Sequence, residues 1–269
     1  VLSAIPLAQA LYANENSFKR PCQFIIEGRS FNGTVAAATD LRTLSAPNVS
    51  VVIAADPDIS VLKTIYNGYA AAGTCLGAIS KAKVNENIGW VERFLLTDVA
   101  VNRWLSAGIS NNTNASTQEA NWDTMTEKGY IHVRTYSNSD LIQGVYGVYF
   151  DDAPTAVEAD SDFAYIENNR TIDKAGILIY KKLLPKVQGP LLVDPTSGKL
   201  NAEVVGDFES QGSAALKPME QNTEISGKDV YVNPDQNVNT TSKVLVKFKV
   251  VPVGVAREIE AEIGFALSV

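Results

Sequence analysis

Two runs of strict alternation at the end of the chain constrain the fold most. In the first, Val244, Val246, Phe248 and Val250 point one way, while Lys243, Lys247 and Lys249 share the other face with Leu245. After a break at Pro252-Val253-Gly254 the alternation resumes. Ile259, Ala261, Ile263, Phe265 and Leu267 then lie on one face, and Glu258, Glu260 and Glu262 on the other. Apolar residues with period two fit a half-covered strand, and two such runs around a Pro/Gly break predict an antiparallel hairpin. One polar face is basic and the other acidic, so cross-strand pairs would hold the register at roughly 0.2–1 kcal/mol each. A long terminal strand at a sheet edge offers unpaired backbone groups, a liability in a monomer and an asset in an assembly. On pattern alone, the plainer reading is a hairpin that closes a domain.

The remaining 242 or so positions hold enough apolar material for a core of their own. With 45% hydrophobic and 20% charged residues, the chain has a globular balance that suits one large domain or two ordinary ones. A net charge of −7 argues against a nucleic-acid partner, because phosphate binding concentrates Lys and Arg. Cys22 and Cys75 lack the close spacing of a metal pair and read as small apolar residues. No apolar stretch approaches the roughly 18–20 residues that span a bilayer, so no membrane insertion is expected. The chain begins at Val1 without a basic stretch or an initiator Met, which reads as a fragment or processed chain and not as a signal peptide. Asn-X-Ser/Thr triplets at Asn32, Asn48, Asn111, Asn114, Asn169 and Asn239 arise readily in an Asn-rich chain and are not taken as glycosylation sites.

Periodicity predicts an α/β first domain with a mixed sheet over residues 1–160. A short helix over 3–13 would turn Leu7, Ala8, Leu11 and Tyr12 inward. Strands are predicted at 21–27, ended by Gly28, and at 49–55, where an unbroken apolar run suits burial on both faces. Helices are predicted over Thr34–Leu44, over the stretch carrying Ile59, Leu62, Ile65, Tyr66 and Tyr69 with Asp58 or Ser60 as cap, at 99–105 and at 121–128. The small residues from Ala70 to Ala78 suit close helix packing. Further strands are predicted around Trp90, at 130–136 and at 144–150, with a loop over 106–119. A boundary near Asp160-Ser161-Asp162 introduces a smaller α+β domain over 161–269. It opens with a helix over 163–186, whose stripe is Ile172, Ala175, Ile179 and Leu183. A second helix follows within 201–221, bounded by Asn201 and Pro218, then a short strand at 230–232 and the closing hairpin.

The residues offer no catalytic constellation. Gly28-Arg29-Ser30-Phe31-Asn32-Gly33 and Gly108-Ile109-Ser110 do not fit a nucleophile elbow. No phosphate-binding glycine run or dinucleotide fingerprint follows a strand. The single histidine, His132, sits in a strand-like run and reads as structural. The acidic pairs Asp56/Asp58, Asp151/Asp152 and Asp160/Asp162 lack the spacing of a cation loop and read as turn caps. No cofactor and no metal is expected.

A resemblance carries the functional reading further. Residues 163–175, Phe163-Ala164-Tyr165-Ile166-Glu167-Asn168-Asn169-Arg170-Thr171-Ile172-Asp173-Lys174-Ala175, followed by Tyr180-Lys181-Lys182-Leu183-Leu184-Pro185, resemble the C-terminal part of contractile tail sheath proteins, in the divergent phage-tail-sheath-like branch of bacteriophages and prophages. In order along the chain, Asn48 to Asp56, Gly73 to Ala78 with Asn87 to Val91, and Gly129-Tyr130 leading to Gly144 through Asp152 are similar to earlier blocks of that family. Val251-Pro252-Val253-Gly254 with Arg257-Glu258-Ile259 resembles its closing hairpin. The likeness spans roughly residues 45–269; residues 1–44 match nothing in it, and the family's N-terminal arm, expected before the first domain, is either missing or lies in a stretch ahead of Val1.

The resemblance implies a non-enzymatic structural subunit in a virion tail or, during assembly, the host cytoplasm. Such subunits stack as six-fold rings into a helical sheath around an inner tube, meet baseplate components, and contract to drive the tube into a target cell. Neighbours are linked by exchanged terminal strands, which is β-augmentation in a contact that does not close on itself. It nominates Val244, Val246, Phe248, Val250, Ile259, Ala261, Ile263 and Phe265 as the linking strands, and Lys174, Lys181 and Lys182 as the inner-tube contact; a solvated helix face is the plainer account of the lysines. Removal of residues 257–269 is expected to abolish assembly and leave the first domain folded. Two other readings stay open: a soluble hydrolase-like α/β enzyme with a carboxylate site that sequence does not reveal, and an adhesin-like module suggested by the Asn/Ser/Thr-rich loops.

Overall fold

A computed structural model describes residues 1–31, 34–111, 113–114, 120–136 and 147–259. The chain is a mixed α/β fold with small sheets, and its second part ends in an antiparallel strand pair.

The first part is organised on the apolar run at 49–55. It forms β2 (Val49–Val52), flanked in parallel by β1 (Phe24–Glu27) and, later in the chain, β6 (Tyr130–Ile131). Every residue of β2 is buried, as a strand covered on both faces requires. Its one polar side chain, Ser50, is satisfied by donating to the Pro154 carbonyl at 2.7 Å. After Ile53 the run changes partners. β3 (Ala54–Ala55) pairs antiparallel with β4 (Gly108–Ile109), which pairs with β5 (Thr113–Asn114). The expected single mixed sheet is thus two small sheets, one parallel (β1-β2-β6) and one antiparallel (β3-β4-β5). Gly28 ends β1 because a Cβ there would sit 2.7 Å from Ile53 Cγ2 and 2.8 Å from the Val52 carbonyl oxygen. β7 (Val133–Tyr136) and β8 (Gly147–Phe150) form a separate antiparallel pair, and every residue of β8 is buried.

The helices around this core depart from periodicity in instructive ways. α1 (Ala4–Ser17) buries Ile5 and half-buries Ala8 and Tyr12, while Leu7 and Leu11 face outward, so the predicted apolar side is only half right. Thr34–Leu44 forms two 3₁₀ turns and no α-helix. The helix expected through Tyr69 stops early. α2 (Pro57–Ser60) is a single turn capped by Asp56, whose carboxylate accepts from Asp58 N–H at 3.0 Å, and not by Asp58 or Ser60. A 3₁₀ turn at Thr64–Tyr66 follows, and Val61, Leu62 and Ile65 are 61–71% exposed among the described residues. α3 (Ala72–Lys81) buries Cys75 and Ala78, whereas Gly73 and Gly77 face open space and mediate no close helix contact. Turns replace the strand expected around Trp90 and the helix expected at 99–105. α4 (Trp122–Glu127) forms where predicted, with Trp122 and Met125 in the core.

The second part is a helix pair under a two-stranded sheet. α5 (Ile166–Leu183) packs on α6 (Ala202–Gln221); α6 meets β9 (Ile225–Val232) and β10 (Val246–Pro252), and α5 meets β10, with the single turn α7 (Val238–Thr241) between the strands. Ala175, Ile179, Ala215, Leu216, Met219 and Ile225 form the core, with Leu183, Val230, Phe248 and Val250 against it. Asn201 caps α6 as expected, its side chain accepting from Glu203 N–H at 2.9 Å. Pro218 does not end the helix. Burial of Leu216 and Met219 holds the last turn on β9, and the chain closes through Asn222 N–H to the Pro218 carbonyl. The two parts are joined by buried Arg42, which donates to the carbonyls of Ala164 at 3.0 Å and Thr155 at 3.4 Å.

Candidate assembly interface and the buried ionic networks

The sheet of β9 and β10 is one-sided. Val246 lies opposite Val232, Phe248 opposite Val230 and Val250 opposite Lys228 on the face toward the helices. Lys247 lies opposite Tyr231 and Lys249 opposite Asp229 on the outer face, where opposite charges support the register. Lys228 extends along the helix layer and its ammonium pairs with Glu220 of α6. Two strands alone are marginal in water. Here the apolar residues of β10, Val246, Phe248 and Val250, are only half-buried, and neither outer edge has a strand partner among the described residues. In an antiparallel pair, alternate residues of each strand turn N–H and C=O away from the partner. These edges are therefore rows of open donors and acceptors. One of them is closed locally: Val232 N–H donates to Glu209 Oε1 at 2.9 Å.

The run from Val244 to Val250 was expected to pair with the run that starts at Glu258, most of which lies outside the described residues. Among the described residues Val246–Pro252 pairs with Ile225–Val232, which was predicted only as a short strand at 230–232. Alternation reveals the two faces of a strand but carries no information on its partner. Burial of Ile225 and Val232 at the two ends of β9 selects it. Phe248 and Val250 pack on the α5–α6 core, and Val244 and Val246 on a smaller one with Leu200, Phe208 and Val232. Ile259 is exposed; Ala261, Ile263 and Phe265 lie outside the described residues.

The three nominated lysines do not form one free face. Lys174 Nζ is engaged by both carboxylate oxygens of Glu224, at 2.7 and 2.5 Å, beneath the turn that links α6 to β9. Lys181 and Lys182 are exposed at the far end of α5, with Lys181 on the rim of a cleft of about 440 Å³. Asp173 opens into that cleft. Burial pushes its carboxyl up to about 6, against lowering by long contacts from Gln23 at 3.5 Å and Tyr12 at 3.4 Å.

Two networks tie buried ionisable side chains to partners from distant parts of the chain. In one, His132 is fully buried, its Nε2 lying 2.9 Å from Thr126 Oγ1 and 3.4 Å from Asp151 Oδ2, and its Nδ1 3.2 Å from the Val133 carbonyl. Arg134 Nε meets Asp151 Oδ1 at 2.6 Å. Burial raises the Asp151 carboxyl, but the hydrogen bond and charge of His132, Thr126 and Arg134 outweigh it and hold the group well below the ordinary range. A hydrolytic triad needs the acid on Nδ1 and the nucleophile on Nε2. Here the hydroxyl and the acid share Nε2 and a carbonyl holds Nδ1, so the arrangement ties α4, β7 and β8 together and is not a relay.

The other network was missed by sequence reading. Asn87 Nδ2 donates to Asp152 Oδ1 at 2.5 Å and to Glu167 Oε1 at 3.0 Å. Arg257 then closes on both acids, Nε to Asp152 Oδ2 at 2.8 Å and Nη2 to Glu167 Oε1 at 2.6 Å, with its guanidinium 3.5 Å from the Tyr165 ring centroid. Burial pushes the Glu167 carboxyl up and the Asp152 charge adds to this, against lowering by Asn87 and Arg257. Asp151-Asp152 and Arg257 were visible as charges, but their roles depend on a contact between residues 105 positions apart. Among the described residues no cluster of His, Cys, Asp and Glu is arranged to hold a metal, and no helix is long and apolar enough to cross a membrane.

Comparison with solved structures finds this fold in contractile injection machinery. One similar chain belongs to "Cryo-EM structure of the anti-feeding prophage (AFP) baseplate, 6-fold symmetrised", with a TM-score of 0.58, 15% identity, and coverage of 96% of this chain and 64% of that one. Another belongs to "Cryo-EM Structure of an Extracellular Contractile Injection System, PVC sheath complex in contracted state", with a TM-score of 0.50, 14% identity, and coverage of 82% and 57%. The chain thus spans less than two thirds of either neighbour. No curated protein matches the sequence. Family models described as the N-terminal and C-terminal domains of DUF2586 match residues 3–154 and 162–269, so the chain belongs to the DUF2586 family.

Proposed function

We propose that this chain is a structural subunit of a contractile tail sheath, a helical tube around an inner tube that contracts to drive it into a target cell. The observation that carries the reading is the half-built sheet of β9 and β10, whose inner face is incompletely covered and whose edges have no strand partner among the described residues. A neighbour's strand added at such an edge supplies main-chain hydrogen bonds, and alternating side chains set its register. The fold likeness to a contracted sheath complex supports it. The apolar residues Val61, Leu62 and Ile65, left uncovered beside the core, suit a chain whose neighbours finish its burial. In this reading Val244, Val246, Phe248 and Val250 form the acceptor layer, Ile259, Ala261, Ile263 and Phe265 belong to the donated strand, and Lys181 and Lys182 face the inner tube. Contraction draws on the difference in contact free energy between two packings, with no bond chemistry in the subunit.

The likeness to a chain of a baseplate structure favours a second reading, a ring component at the end of the tube. Electron microscopy of the protein expressed alone separates the two. A sheath subunit forms open tubes or stacked rings, a baseplate component forms closed single rings, and a strictly monomeric chain contradicts both. Deletion of residues 258–269, which keeps Arg257 in place, is expected to abolish assembly and leave the two cores folded. Tubes that survive the deletion would show that the linking strand has been misplaced.

A further inference from the structure

We infer that Asp152, Glu167, Asn87 and Tyr165 form a guanidinium-binding site that anchors the segment after β10 at the junction of the two parts of the chain through Arg257. The inference stands apart from the sheath reading and survives if that reading fails.

The site is built before Arg257 reaches it. Asp152 follows β8 and Glu167 lies in the first turn of α5, and their side chains are only 7% and 3% exposed. Asn87 bridges the two acids, and Ala153 N–H donates to Asp152 Oδ1 at 2.7 Å, so both carboxylates are fixed in orientation. Glu167 Oε2 is buried with no hydrogen-bond partner. Two carboxylates this close to burial require a cation between them. The geometry selects which cation. Arg257 gives Nε–H to one acid and Nη2–H to the other while its planar group lies against Tyr165. A guanidinium satisfies all three contacts at once; an ammonium, a compact point charge, does not combine the fork with the stack.

Little else holds the segment. Gly254, Ala256, Glu258 and Ile259 are exposed, and no backbone hydrogen bond ties 253–259 to another described residue. The chain leaves the two-stranded sheet, crosses back to the end of β8, and is fixed there by one side chain. That contact fixes the position of the chain at Arg257.

Chemical rescue tests the site. Arg257→Ala is expected to melt several degrees below the parent protein. N-ethylguanidinium at millimolar concentration is expected to restore most of the loss. N-ethylammonium at equal ionic strength restores little, and neither raises the melting point of the parent or of Arg257→Ala/Glu167→Gln. Equal rescue by the two cations, or rescue of the double variant, would overturn the assignment. Should Arg257→Ala not fold, the Nε–Hε resonance of Arg257 in the parent protein, assigned by its loss in Arg257→Lys, gives the second reading. It is expected well apart from the solvent-exposed arginines, and a position among them sinks the proposal.

Discussion

Gly206 and Gly212 lie in the same helix, α6, and replacement by alanine is expected to act with opposite sign at the two. In a helix interior alanine is favoured over glycine by about 0.8–1.0 kcal/mol, because glycine loses more backbone freedom on folding. Gly206 is exposed and a Cβ there meets nothing within 4 Å, so Gly206→Ala should gain about that much. Gly212 is buried against β9, and a Cβ there would sit 2.7 Å from Val230 Cγ1. Valine is stiff at χ1 and cannot swing that methyl aside cheaply. Overpacking of this kind costs about 1–3 kcal/mol, so after the helix gain Gly212→Ala should lose about 1 kcal/mol net. Urea unfolding followed by circular dichroism reads both, as shifts of the midpoint in opposite directions at constant slope. Val230→Ala placed in the Gly212→Ala background should recover part of the loss, with a coupling of about 0.5–3 kcal/mol across the double-mutant cycle. If Gly212→Ala is as stabilising as Gly206→Ala, α6 does not lie on β9 as described. The helix would then no longer be the support that presents the open sheet to a neighbour.

Two ionisable groups make opposite predictions with pH. The Asp173 carboxyl is pushed up to about 6 from 3.8, so the folded chain holds its proton more tightly and stability falls as pH rises between those values. Asp173→Asn should flatten that slope and stabilise the neutral protein by on the order of 1 kcal/mol, discounted for partial exposure; a less stable variant would mean that the carboxylate is favourably paired. Asp151 is held below its ordinary 3.8, so its contribution is fully present above that value and is lost as pH falls below it. Asp151→Asn leaves Arg134 and His132 without their acid and should cost about 3 kcal/mol near neutrality, read by the same urea titration; an unchanged midpoint would refute the pairing.

The candidate interface was legible only in part. The alternation from Val244 to Val250 identified β10, its inner face and its basic outer face, and the resemblance pointed to a fold that is also found in chains of contractile injection structures. The partner strand was not legible, because half of β9 carries Ser226, Gly227, Lys228 and Asp229, a run without a clear apolar period. Lys174 looked like its neighbours on the helix until the turn after α6 brought Glu224 beneath it. The arginine site was invisible for a similar reason. Asn87, Asp152, Glu167 and Arg257 come from four separate places, and no spacing rule joins them.

What the sequence determined by itself is local and periodic. The buried strand at 49–55, the helix stripe of Ala175, Ile179 and Leu183, the Asn201 cap and the two faces of β10 all follow from burial or hydrogen bonding within a few residues. Tertiary structure decided the rest: which strand pairs with β10, why the apolar stretch 61–65 stays outside, why α6 runs through Pro218, and which cation sits between Asp152 and Glu167. Each of these depends on what lies across from a residue in space. A chain's own periodicity specifies which side of an element is apolar, and only packing specifies what that side meets.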